Sequence, residues 1–153
     1  LCHRHHVPFV INDNVEIAVA ADADGVHLGQ HDMNPLEARK ILGPEKIIGV
    51  SAHNVDEAIL AEKNGADYLG TGSVFTTTTK NDAGHISFDT VKQITEAVSI
   101  PVIAIGGITE ENVPELKGLG LCGIAVVSAI YAQKDIRKST EKLKKTVENM
   151  VRI

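Results

Sequence analysis

Only two cysteines, Cys2 and Cys122, occur in the 153 residues. They are too few for a disulfide framework, so the default compartment is a reducing cytoplasm. Basic charge is scarce as well. The formal net charge is −5, and no Lys/Arg-rich stretch precedes the C-terminal helix, which leaves nucleic acid without an electrostatic field to bind. That helix, "IRKSTEKLKK", interleaves acidic residues with basic ones and reads as a solvated face. No apolar run approaches the roughly 18 residues that span a bilayer. The start, "LCHRHHVPFV", lacks the apolar core and small-residue cleavage site of a signal peptide. No GxGxxG follows any strand-like run, which weighs against a dinucleotide fold. What is left, 43% hydrophobic and 23% charged, is the composition of one globular domain over residues 1–153. Its partners are expected to be small molecules, with neither nucleic acid nor membrane among them; a homo-oligomer is left open.

Short apolar runs recur along the chain, each followed by a helical pattern. "VPFVIND" precedes "VEIAVAADA", "GVHLGQ" precedes "NPLEARKILG", and "KIIGVSA" precedes "NVDEAILAEKNG". "DYLGTGS" leads through "VFTTTTK" to "SFDTVKQITEAV"; "IPVIAIGG" precedes "TEENVPELKGLG"; "CGIAVVSAI" precedes the final helix. The runs are rich in Val and Ile without clean alternation, as expected of parallel strands covered on both faces. Asn34, Asn54 and Thr109 stand where helix caps belong, and Gly43, Gly65 and Gly120 stand where helices close. Six such βα units leave two architectures, an open doubly wound sheet or a (β/α)8 barrel. Polar and glycine residues cluster at the C-terminal strand ends, where both architectures place ligands. "AIGGI" and "VVSAI" at the last two strand ends lean toward the barrel, which builds a phosphate site there.

Asp13 ends the first strand and Asp32 follows the second. Two carboxylates with few other ligands suit Mg2+, which keeps its waters and takes further oxygens from a substrate phosphate. Asp13 alone reads better as a cap for the helix behind it, and only the pair on neighbouring strand ends brings the metal reading level. Lys80 closes a row of four threonines and is suited to phosphate as a point charge, against its reading as a solvated loop lysine. Gly106-Gly107 and Val127-Ser128 sit on consecutive strand ends, each expected to lead into a helix, and favour a bound phosphate over two empty turns. His3, His5 and His6 precede the first strand with no spaced partner and read as a linker. His27 reads as a packed strand side chain, and Cys122 as a small buried residue. His31 is left open.

Taken together, "FVIND", "ADGVHLGQHD", "IIGVSAHN", "ADYLGTGSVFTTTTK", "IPVIAIGGI" and "GIAVVSAI" resemble the thiamine phosphate synthase family, in order and spacing, from Pro8 to about Ile130. The resemblance implies a (β/α)8 TIM barrel. It also implies a transferase that joins hydroxymethylpyrimidine diphosphate to hydroxyethylthiazole phosphate, releasing pyrophosphate. Carried over by motif, Asn12 would contact the diphosphate, and Asp13 and Asp32 would hold Mg2+. Ser51 would face the pyrimidine diphosphate and Lys80 would grip its phosphates, these two being the catalytic candidates. Thr77, Thr79, Gly107, Val127 and Ser128 would bind the thiazole phosphate. The family's usual proline between Phe75 and Thr77 is Thr76 here, a change expected to loosen the loop without removing a ligand.

The implied chemistry is dissociative. The electron-rich pyrimidine carries a benzyl-type cation once the C–O bond breaks, and the thiazole nitrogen then attacks it. A thiazole tautomerase-like isomerase is the rival enzyme, opposed by the paired acidic residues; a non-catalytic phosphate-binding barrel is the rival of another class. Six units where the barrel needs eight carry a further expectation, since "VPFVIND" resembles the family's third strand. Two N-terminal units, with the Gln-x-Arg-x-Lys type motif that binds the pyrimidine diphosphate, are expected to be missing, and the chain alone to be inactive or very weak.

Overall fold

The structure, a computed structural model, describes residues 1–76 and 85–151. Six strands are present: β1 (Val10–Asn12), β2 (Gly25–Leu28), β3 (Ile47–Ala52), β4 (Tyr68–Thr71), β5 (Val102–Ile105) and β6 (Gly123–Ala125). All pair in parallel, in the order β1-β2-β3-β4-β5-β6. A doubly wound sheet reverses direction at a switch point, and this order has none. Right-handed crossovers between strands in simple succession put every connecting helix on one face, as in the wall of a TIM-like barrel.

The helices are α1 (Val15–Ala20), α2 (Pro35–Leu42), α3 (Val55–Lys63), α4 (Phe88–Ala97), α5 (Ser128–Tyr131) and α6 (Ile136–Val151). Their starts follow local chemistry. Asn14, Asn34, Asn54 and Ser87 each accept a hydrogen bond from an N–H of the first turn, and Pro35 opens α2 where its missing donor costs nothing. The cap of α1 is therefore Asn14; Asp13 is free of that duty.

The strands do alternate, contrary to the sequence expectation of two covered faces. Val26, Leu28, Ile48, Val50, Leu69, Val102 and Ala104 are buried against the helix layer. Their neighbours His27, Ser51, Tyr68 and Ile103 point to the opposite, concave face and are only half-buried, while Ile105 is exposed. Glycines hid this alternation in the sequence: Gly25, Gly49 and Gly70 occupy concave positions, where hydropathy carries no signal. At Gly49 the missing side chain has a purpose, because a Cβ there would run into the Tyr68 ring. Each fully buried Leu or Ile of the helix-facing layer contributes about 1.5–3 kcal/mol relative to exposure.

Two expected elements differ. The segment after β5 forms only a 3-10 turn, Val113–Leu116. Pro114 removes a donor, Gly118 and Gly120 take positive φ values of 83° and 79°, and an α-helix has no room to propagate between them. Thr109 does not cap it; the Asn112 side chain accepts from the Thr109 N–H at 2.8 Å and donates to the Gly107 carbonyl at 3.0 Å. The last strand is also short, and Ser128 opens α5 rather than ending β6. Cys122 is exposed, its thiol donating to the Val102 carbonyl at 3.2 Å. Along α6, Leu143 and Met150 are buried and the ion pairs Arg137–Glu141 and Lys144–Glu148 lie outside, as a solvated helix face requires.

Candidate functional site

At the C-terminal ends of β3 to β6 lies a cleft of about 210 Å³, lined in part by Ser51, His53, Ser73, Gly107, Val127 and Ser128. Parallel register explains the gathering. Ser51 stands opposite Gly70, and the loops after β5 and β6 leave the sheet at the same rim. Four of the residues singled out in the sequence, Ser51, Gly107, Val127 and Ser128, thus share one cavity.

The turn at Gly106-Gly107 is shaped by its neighbour. Val74 and Phe75 donate their N–H groups to the carbonyls of Ile105 and Gly106, both at 3.1 Å, so the chain after β4 is laid along the end of β5. Gly107 has φ 65°, and a Cβ there would meet the carbonyl oxygens of Phe75 and Thr76. A side chain is excluded twice, by backbone conformation and by space. The turn's backbone stays within reach of the cleft. The expectation that both turns lead into helices holds for Val127-Ser128, which opens the four-residue α5, and is corrected for Gly107, which only a 3-10 turn follows, at a distance. Without long helices, what these turns offer an anion is local backbone N–H groups rather than a macrodipole.

Asn12 and Asp13 stand exposed at the end of β1, with the Asp13 N–H donating to the His27 carbonyl at 2.7 Å. Asp32 is exposed in the loop after β2, and its Oδ2 accepts the Gly29 N–H at 2.6 Å. The two carboxylates therefore lie at the C-terminal ends of neighbouring strands. Among the described residues no group of three or more His, Cys, Asp and Glu comes together. Thr77, Thr79 and Lys80 lie outside the described residues. His31 is exposed. His3 to His5 form a 3-10 turn at the opposite rim, where His3 Nε2 is 3.6 Å from Asp24.

The concave face also holds groups that sequence reasoning passed over. His27 bridges Tyr68 and Ser51: Nδ1 is 2.9 Å from the Tyr68 hydroxyl and Nε2 is 3.0 Å from Ser51 Oγ. Its ring lies 5.4 Å from the Tyr68 ring and over Gly70. Burial pushes the Tyr68 phenol above its ordinary pKa, which keeps it protonated. The available signal was strand register, since His27, Ser51 and Tyr68 sit at concave positions on three successive strands. At the cleft mouth, His53 donates its backbone N–H and offers its ring Nδ1 to Glu57 at 2.8 and 2.9 Å.

Residues 1–130 match the family described as thiamine monophosphate synthase. The chain belongs to that family. It is 54% identical over 140 residues to the thiamine-phosphate synthase of Ruminiclostridium cellulolyticum, covering 92% of this chain and 67% of that protein. To the thiamine-phosphate synthase of Clostridium botulinum it is 45% identical over 150 residues, 98% of this chain and 70% of that one. The solved structure of thiamine phosphate pyrophosphorylase from Pyrococcus furiosus superposes with a TM-score of 0.90 at 46% identity, over 99% of this chain and 72% of that chain. The likeness to KGPDC from Streptococcus mutans, TM-score 0.71 at 15% identity over 94% of this chain and 73% of that one, is one of fold alone. Among the described residues no helix is long and apolar enough to cross a membrane.

Proposed function

We propose that this member of the thiamine monophosphate synthase family is a cytoplasmic transferase that joins hydroxymethylpyrimidine diphosphate to hydroxyethylthiazole phosphate, forming thiamine phosphate and pyrophosphate. The observation that carries it is the cleft, which gathers Ser51, Gly107, Val127 and Ser128 at the strand ends where such barrels bind ligands. In this reading the six strands follow the wall of a (β/α)8 barrel. The turns at Gly107 and at Val127-Ser128 hold the thiazole phosphate through backbone N–H groups, and the Thr77 and Thr79 hydroxyls bind the same phosphate. Asn12, Ser51 and Lys80 face the diphosphate.

Asp13 and Asp32 fit Mg2+. They are hard oxygen donors, exposed after neighbouring strands, and a pair of carboxylates with no third His, Cys, Asp or Glu gathered among the described residues is what an ion completed by water and substrate phosphate needs. When bound, Mg2+ supplies charge stabilisation to the departing pyrophosphate. The protein's own groups act on the same charge: the Ser51 hydroxyl by hydrogen bonding and the Lys80 ammonium by its field. Holding both substrates at one rim makes the joining step effectively unimolecular, and no protein nucleophile is required.

The test is to supply the purified protein with both substrates and Mg2+ and follow thiamine phosphate and pyrophosphate together. Stoichiometric appearance of both supports the transferase. Saturable binding of the thiazole phosphate with no pyrophosphate released would instead mark a binding protein.

A further inference from the structure

The Ser51 backbone is already held, since Gln30 Nε2 donates to its carbonyl at 2.5 Å. The hydroxyl remains a rotor. Serine can present either its proton or a lone pair, and only the proton helps an anionic oxygen. The direction in which that proton points is therefore a choice the site has to make.

The bridge from Tyr68 through His27 makes it. Among the described residues the Tyr68 hydroxyl has one hydrogen-bond partner, His27 Nδ1 at 2.9 Å. The phenol is half-buried and protonated, and a proton pointed elsewhere would lose its partner. The phenol accordingly donates to Nδ1. The ring proton then resides on Nε2, which donates to Ser51 Oγ at 3.0 Å. With one lone pair occupied from behind, the Ser51 proton turns into the cleft. We infer that Tyr68 and His27 are positioning residues that fix the Ser51 hydroxyl as a donor toward the bound anion. Gly49 and Gly70 belong to the same device, because they leave the space in which the two rings lie.

This inference rests on the proposed role of Ser51, and two measurements separate them. The first reads the proton directly and needs no turnover. Long-range proton–nitrogen spectra of the imidazoles, with His27→Gln identifying the His27 signals, are expected to show Nε2 protonated and Nδ1 bare. Tyr68→Phe, which keeps the ring over Gly49, is expected to mix the two tautomers. A proton on Nδ1 with Nε2 bare in the unsubstituted protein would overturn the inference.

The second is a kinetic cycle. Ser51→Ala is expected to lower kcat roughly ten- to hundredfold, the range for a hydrogen bond to a charged group. Tyr68→Phe should lower kcat roughly three- to tenfold and leave KM for the thiazole phosphate unchanged. In the Ser51→Ala background it should add less than about twofold, because both changes act through one hydroxyl. An undiminished Tyr68→Phe effect in that background would make Tyr68 merely structural and overturn the inference. Full turnover by Ser51→Ala would instead defeat the functional reading, and the nitrogen spectra would still decide the relay.

Discussion

Replacing Gly107 by alanine tests how the cleft is built, and Gly118 supplies its control. Both glycines have left-handed backbone, φ 65° and 83°, so a methyl group at either carries the same conformational cost, about 1–2 kcal/mol. The surroundings differ. A Cβ at Gly118 meets nothing within 4 Å, whereas at Gly107 it lies 2.8 Å from the Phe75 carbonyl oxygen and closer still to that of Thr76. These are backbone atoms, and the Phe75 N–H is tied to the Gly106 carbonyl, so relief requires moving the chain rather than a side chain. Overpacking of this kind costs roughly 1–3 kcal/mol more. Gly118→Ala should then lose about 1–2 kcal/mol and Gly107→Ala about 2–5 kcal/mol. With roughly 2–4 °C of Tm per kcal/mol at this chain length, calorimetry resolves the pair easily. Isothermal titration with hydroxyethylthiazole phosphate should show weakened binding for Gly107→Ala and unchanged binding for Gly118→Ala. Equal losses of stability in the two variants would refute the reasoning, since crowding would then contribute nothing.

Asp13→Asn and Asp32→Asn are each expected to lower Mg2+-dependent turnover on the order of a hundredfold while sparing thiazole phosphate affinity; full activity in excess EDTA would contradict both. Thr71 is fully buried and its hydroxyl has no partner among the described residues, so Thr71→Val should raise stability by about 1 kcal/mol in urea unfolding. Burial pushes the Glu57 carboxyl up, but hydrogen bonds from the His53 N–H, the His53 ring and Asn54 outweigh it, leaving the pKa below its ordinary 4.5. A carboxyl lowered on folding stabilises above its unfolded pKa and loses that contribution as pH falls through the folded one. Stability should therefore decline below about pH 4.5, and Glu57→Gln should flatten that decline in acid titrations of Tm.

The six strand-helix repeats were legible because strand runs and capping residues are local signals. Asn34 and Asn54 cap where the sequence places them, and Gly43 and Gly65 close their helices with positive φ values of 84° and 85°. Local signals misled where a breaker sat inside a helical pattern. Pro114, followed by Gly118 and Gly120, reduced an expected helix to one 3-10 turn.

What the sequence determined by itself was a set of candidates for the site: a serine, two aspartates and two glycine- or serine-bearing turns, at or just after strand ends, in motifs specific enough to imply one family. Tertiary structure decided which of these meet and how they are oriented. Strand order, which removed the doubly wound alternative, depends on hydrogen bonds between segments far apart in the chain. The roles of His27 and Tyr68 depend on register: His27 and Ser51 are 24 residues apart, and His27 and Tyr68 are 41 apart. A histidine in an apolar run looks like packing until the next two strands of the sheet bring a hydroxyl and a phenol to its two ring nitrogens. Sequence spacing encodes which face of a strand a residue occupies, but the partner across that face is set only when the strands pair.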